Sequence, residues 1–331
     1  MRRSMPLLFA AAVLATLLAA PLVPSVRAAD DYPSRPIRLA VGFAPGGATD
    51  VVARLITGQL SQELGQTIYV ENIPGASGFI AWRNIAAAAP DGYSLLMAEN
   101  AIAIRPGFKD MTPTFDPLTQ LEPVAAVAHS PLALVVAEKV PANTVAELIA
   151  LSRKTEKKLD YASAGNGSVA QLVWEVVKDG AKIDAVDVPY RGGGPAMAAI
   201  ISNQVDLIMA STQVAQPQVE SKRLKALAVT GKTRSPALPN VPTLAEAGVK
   251  HADVDLQFWF AVFAPKGLPE PIRAKLEKAV EKTLASPAIR ERLAALDITP
   301  DFGTGAMLQK QLANEIKNWK TFIEAKDLKA Q

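Results

Sequence analysis

The chain has 331 residues, with 35 Lys and Arg against 32 Asp and Glu, two His and no Cys. Thiol chemistry and Cys-ligated metal are excluded, and His129 and His251 lie too far apart in sequence to suggest a His-rich metal site. Arg2, Arg3 and Arg27 account for the formal charge of +3, so the rest of the chain is neutral, and no basic stripe points to nucleic acid.

The first segment reads as an export signal. Arg2 and Arg3 precede the apolar run Leu7 to Ala20, and Val26-Arg27-Ala28 offers a small-residue site, so cleavage is expected near Ala28 and the mature chain in the periplasm. The run is short for a membrane span and Pro21 and Pro24 follow it; no later segment is apolar enough to cross a bilayer. About 300 residues remain, enough for two domains.

Strands and helices then alternate, which predicts α/β layers with mainly parallel sheets flanked by helices. Ile37 to Phe43 reads as a buried strand. Thr49 to Leu64 carries a helical apolar face at Val52, Ile56, Leu60 and Leu64. Thr67 to Val70, a helix Ile80 to Ala89 and the strand Tyr93 to Ala98 complete a βαβαβ unit. A second series starts with the strand Leu132 to Ala137 and a capping box at Thr144–Glu147. Strands Leu159 to Ala162, Asp184 to Val188, Val205 to Ala210 and Lys225 to Thr230 follow, with helices Ser168 to Lys178 and Pro195 to Ser202 between them. Thr243–Glu246 is a further capping box, and Leu256 to Ala264 is a long apolar strand. Three helical patterns close the chain, from Pro269, Pro287 and Gly305, without a complete strand series of their own. The expected arrangement is therefore 1–28 signal, 29–128 with 257–331 as lobe one, and 129–256 as lobe two. Two crossings near Val124–Ala128 and Phe258–Phe263 would join the lobes and act as a hinge.

Three glycine-bearing turns sit between a strand and a helix. The first is Phe43-Ala44-Pro45-Gly46-Gly47-Ala48-Thr49-Asp50, where Thr49 is a candidate cap and the helix amides would face a crevice suited to an anion; a plain tight turn explains the same residues. The second is Ser163-Ala164-Gly165-Asn166-Gly167-Ser168, in which Ser168 and Gln171 form a capping box while leaving amides free for a ligand. The third is Pro189-Tyr190-Arg191-Gly192-Gly193-Gly194-Pro195; Arg191 there is either a carboxylate fork or an ordinary exposed arginine.

With Tyr32–Arg38, Pro90-Asp91-Gly92-Tyr93, Val205-Asp206-Leu207 and Leu238–Thr243, these turns occur in an order that resembles the extracytoplasmic substrate-binding proteins of tripartite tricarboxylate transporters, the Bug family. The resemblance spans essentially the whole mature chain. It implies a two-lobed type II periplasmic binding fold, a monomer without catalytic activity, cofactor or metal, and membrane permease components as partners. It also implies a small organic acid whose carboxylate meets Phe43, Ala44, Pro45, Gly46, Gly47, Asp50 and Asn100 in lobe one, and Ser163 to Ser168 in lobe two.

Departures from the family pattern at Phe79, Trp82, Glu99 and Gln171, together with Tyr190 and Ser211, mark candidate specificity positions. Phe79 and Trp82 are either pocket wall or core. Gln171 stands where His is common. Glu99 would repel an anion unless it turns away or finds a partner; facing the cleft, it would favour an amino or amide group on the ligand. The competing readings are an exported hydrolase using Ser163 or Ser168 with His129 or His251, and a loaded receptor that docks on a membrane sensor.

Overall fold

The computed structural model describes residues 32–111, 115–154, 158–165, 167–249 and 257–329. The expected signal segment, Asn166 and His251 lie outside them.

From Pro33 onward the chain is one body built on two sheets. In the first, β1 (Ile37–Val41) lies between β2 (Ile68–Asn72) and β3 (Ser94–Glu99), parallel to both. Long apolar β10 (Phe258–Pro265) runs antiparallel to β3. Beyond it come β4 (Leu121–Ser130) and the edge strand β11 (Thr299–Thr304), giving the order β11-β4-β10-β3-β1-β2. In the second sheet, β6 (Leu159–Ser163) is flanked by β7 (Ala185–Pro189) and β8 (Leu207–Ser211), both parallel to it. β5 (Leu132–Ala137) and β9 (Leu224–Val229) complete the order β7-β6-β8-β5-β9, β5 being antiparallel to both its neighbours. The α/β reading holds, with mixed sheets. Each has a parallel trio with antiparallel strands where the chain passes from one sheet to the other.

That passage is short. β4 ends at Ser130 in the first sheet, Pro131 follows, and β5 starts at Leu132 in the second. The return strand β10 pairs Phe258 with Ser130, so the outgoing and returning segments lie side by side. The stretches near which crossings are expected, Val124–Ala128 and Phe258–Phe263, lie within the strands β4 and β10 of the first sheet.

The helices explain themselves locally. In α1 (Ala48–Leu64) the buried face is Val52, Leu55, Ile56, Leu60 and Leu64; Gly65, in the left-handed region at φ 71°, ends it by donating to Gln62 O. In α6 (Val169–Ala181) the buried face includes Leu172, Val173, Trp174 and Val177, and Trp174 stacks on Tyr161 of β6 at 4.6 Å. Fully burying an aromatic of this size stabilises the fold by about 2–3 kcal/mol. α2 (Phe79–Ala86), α3 (Ala101–Ile104), α4 (Pro117–Gln120), α5 (Val145–Lys154), α7 (Gly193–Ile201), α8 (Thr212–Glu220), α9 (Glu270–Ala285), α10 (Pro287–Ala294) and α11 (Gly305–Ala325) complete the set. Among the described residues no helix is long and apolar enough to cross a membrane.

β4, α3 and α4 have no counterpart among the expected elements, and two more, β11 and α8, are hidden by their composition. β11 reads Thr-Pro-Asp-Phe-Gly-Thr, a poor strand composition; it survives at the sheet edge, where its register breaks between Pro300 and Gly303. α8 carries Pro217 in its interior and few apolar residues, so no periodicity announced it.

Candidate functional site

Four helices begin at one place. The N-cap residues are Gly47 for α1, Ser168 for α6, Gly192 for α7 and Ser211 for α8. Their first turns wall a cavity of about 60 Å³ between the sheets. Phe43, Gly47, Ala48, Thr49 and Glu99 come from the first-sheet side; Ala164, Ser168, Val169, Gly193 and Ser211 come from the second. Each helix start has amides without an intrahelical partner and a partial positive charge, so the cavity is biased towards an anion although no Lys, Arg or His among the described residues lines it.

Both principal turns are braced from within. In the first, Asp50 Oδ2 accepts the Gly46 N–H at 3.0 Å, while Arg54 Nε and Asn72 Nδ2 donate to the same carboxylate. Burial alone would raise the Asp50 carboxyl, but Arg54, the Gly46 amide and Asn72 together hold it below its ordinary range. In the second, Ser168 Oγ accepts the Gln171 N–H at 3.3 Å and Gln171 Oε1 accepts the Gly167 N–H at 2.6 Å, so the expected capping box reaches back one residue further than usual. Gln171 Nε2 donates to Asp187, whose carboxyl burial pushes up, with Ser163 and Gln171 opposing. Thr49, expected as a cap, is not one: Gly47 takes that position without a side-chain bond, and Thr49 is turned to the cavity.

The lobes meet at glycine. A Cβ on Gly194 would stand 2.6 Å from Pro45 O, and one on Gly165, at φ 109°, 3.0 Å from Ser77 Oγ. The third turn therefore closes directly on the first. Of that turn the sequence singles out Tyr190 and Arg191, yet Gly193 lines the cavity and Gly194 makes the contact.

A second pocket of about 330 Å³ shares Phe43 and Ala164 with the first cavity and adds Ser77, Arg105, Gly165, Tyr190 and Arg191. Arg105 had no signal in the sequence. Its guanidinium lies 3.8 Å over the Phe79 ring, is 6 % exposed, and leaves Nε without a hydrogen-bond partner, burial drawing its pKa down.

The other sequence candidates divide clearly. Phe43, Gly47, Glu99, Ala164, Ser168 and Ser211 line the cavity, and Gly165 and Tyr190 line the adjoining pocket. Ala44, Pro45 and Gly46 form the turn behind that wall, Asp50 and Gln171 are committed to bracing, and Ser163 and Gly167 belong to the second turn without lining the cavity. Phe79 and Trp82 pack with Phe115 as buried aromatics, the core alternative. Asn100 faces a separate groove, donating to Gln257 O and accepting the Trp259 N–H, which ties the end of β3 to the start of β10. His129 faces that same groove and pairs with Asp301 at 3.3 Å, so it shares no cavity with Ser168. That removes the nucleophile–base geometry the hydrolase reading needs from His129.

Glu99 is the polar group that stands out. It is 2 % exposed and closes β3 at the cavity wall. Its Oε2 accepts the Ala101 N–H at 2.7 Å, and among the described residues no hydrogen bond or ion pair reaches Oε1. Burial pushes its carboxyl up to about 8, against the pull of that one amide.

Two α/β sheets joined by adjacent strands, with helix starts converging on a cavity between them, define a two-lobed binding protein. The sequence model described as the tripartite tricarboxylate transporter family receptor matches residues 52–328. The solved structure of the periplasmic binding protein BugD is 32 % identical, with a TM-score of 0.86, covering 91 % of this chain and all of BugD. MatC from Rhodopseudomonas palustris, solved with bound malate, is 32 % identical at a TM-score of 0.81, over 88 % of this chain and 99 % of MatC. A further R. palustris protein, solved with adipate, is 32 % identical at 0.84, over 89 % and 98 %. The chain belongs to the tripartite tricarboxylate transporter receptor family, which is made of solute-binding receptors and not of enzymes.

Proposed function

We propose that this receptor captures a small carboxylate-bearing solute in the periplasm by closing its two lobes at the β4–β5 and β10 passages, and that the closed monomer delivers it to the membrane components of a tripartite transporter. The observation that carries the reading is the convergence of the α1, α6, α7 and α8 starts on one cavity. A carboxylate there would take amide and hydroxyl bonds from both lobes at once, with Thr49, Ser168 and Ser211 as the hydroxyls and the first amides of α1 and α6 as the backbone donors. Each charge-assisted bond contributes about 1.5–3 kcal/mol net and each helix start about 0.3–1 kcal/mol. Three or four such contacts, less the cost of association, correspond to a dissociation constant on the order of micromolar. The malate and adipate bound by two relatives support a carboxylate as the common element.

Calorimetric titration with malate, adipate and amino acids, each alongside its methyl ester, tests this reading. Binding of at least one free acid, loss of at least 100-fold on esterification, and compaction in X-ray scattering are expected. Equal binding of acid and ester would refute the carboxylate assignment.

A further inference from the structure

Resting on that reading, we infer that Glu99 selects an amphoteric ligand: its free oxygen receives a positively charged or N–H-donating nitrogen, while the ligand carboxylate sits at the helix starts. The cavity has two electrostatic ends. One is the set of helix starts, each offering partial positive charge. The other is Glu99, the only ionisable residue among those lining the cavity.

A carboxyl at 2 % exposure with one backbone bond is costly to charge, because burial strips most of its water and no cation among the described residues replaces it. Charged groups on the surrounding elements are engaged elsewhere. Asp50 of α1 is held by Arg54; Arg105 lies over Phe79; Asp187 of β7 accepts from Gln171; Glu315 of α11 accepts from Trp259 Nε1; His129 of β4 pairs with Asp301. Among the described residues no cation is therefore offered to Glu99. A ligand with two carboxylates would place its second charge in a chamber with no Lys, Arg or His among the described residues of its wall. A ligand bearing an amine balances both ends, carboxylate against amides and ammonium against Glu99.

The protonation of Glu99 gives the two alternatives opposite signs. With its carboxyl pushed up to about 8 in the empty protein, an ammonium can be paired only once the proton leaves. Affinity for an amine-bearing acid should then rise about tenfold per pH unit from 6 towards 8 and level off above it. If instead neutral Glu99 donated its proton to a second acceptor on the ligand, affinity would be flat below pH 8 and fall above it.

Calorimetry with matched pairs provides the test: glycine with acetate, β-alanine with propionate, 4-aminobutyrate with butyrate, and the twenty protein amino acids against malate and adipate. In the wild-type chain the amine-bearing members should bind at least 100-fold tighter than the acids lacking nitrogen, with the rising pH profile. In Glu99→Gln that preference should shrink below tenfold and the pH dependence should vanish. The wild-type profile stands alone if that variant does not fold. Equal or better binding of acids without nitrogen, or a profile that falls above pH 8, overturns the inference and leaves carboxylate capture intact. Failure of every acid in both sets overturns both.

Discussion

The first and second strand-to-helix turns solve the same problem with different chemistry. Each must hold a glycine-rich backbone so that free amides point into the cavity, and each uses the third helical residue to reach back to an amide before the cap. In the first turn that residue is Asp50, whose negative charge is answered by Arg54 behind the wall. In the second it is the neutral Gln171, which needs no counter-charge and passes its own amide to Asp187. In both cases the cavity face is left without a formal charge from the brace, so the helix starts decide its polarity. The lesson is that rigidity and charge are handled by separate residues. Of the cavity's lining, only Glu99 breaks that rule.

Closure should be the most sensitive step. Gly194→Ala adds a Cβ that would stand 2.6 Å from Pro45 O, a backbone atom that cannot swing aside. Ligand affinity is expected to fall at least 100-fold and ligand-induced compaction in scattering to disappear. Alanine near the start of α7 should leave the ligand-free protein as stable as before, or more so by about 0.5–1 kcal/mol. Unchanged affinity would show that the third turn does not close on the first.

Breaking the charged brace comes next. Asp50→Ala strands the Gly46 amide and should cost about 2–3 kcal/mol in urea unfolding, with Asp50→Asn recovering part of the loss. Because the Asp50 carboxyl is held below its ordinary range, its contribution is present above the unfolded value near 3.8 and is lost as pH falls through the lowered one. The wild-type advantage over Asp50→Asn should therefore narrow below pH 4. Gln171→Ala, which removes a neutral bond from Gly167, should cost about 1 kcal/mol.

Glu99 titrates in the opposite sense. Its folded value is raised, so its contribution to ligand-free stability is fully present below about 4.5 and disappears as pH rises through about 8. The wild-type melting temperature should fall between pH 5 and 9 by several degrees more than that of Glu99→Gln. The smallest effect is expected at the surface. Lys326 of α11 meets Asp179 of α6 at 2.7 Å, an exposed pair bridging elements on different sheets; Lys326→Ala should cost about 0.5 kcal/mol or less and vanish in high salt.

Much of this was legible beforehand because strand, glycine turn and capped helix leave local signatures. The turns at Phe43–Asp50 and Ser163–Ser168 rest on such patterns, whereas the suspicion attached to Glu99 comes from its departure from the family pattern. Polar residues at the strand ends were harder to assign: Asp50 and Asn100 look like ligand contacts in sequence but make hydrogen bonds within the chain, Asp50 to Gly46, Arg54 and Asn72, and Asn100 to the backbone of Gln257 and Trp259. Arg105 carries no local signal and Gly194 reads only as one glycine of the third turn, because their roles come from partners distant in sequence, the Phe79 ring and Pro45 O. α8 and β11 were hidden by Pro217 and Pro300, which sequence rules read as interruptions.

The most direct test of the account is to release and identify the small molecule held by freshly purified protein, by native mass spectrometry followed by denaturation. Capture by converging helix starts predicts an organic acid at one copy per chain, and the role assigned to Glu99 predicts that the acid also carries a basic or N–H-donating nitrogen. A bound molecule without any acidic group would contradict the account at its centre.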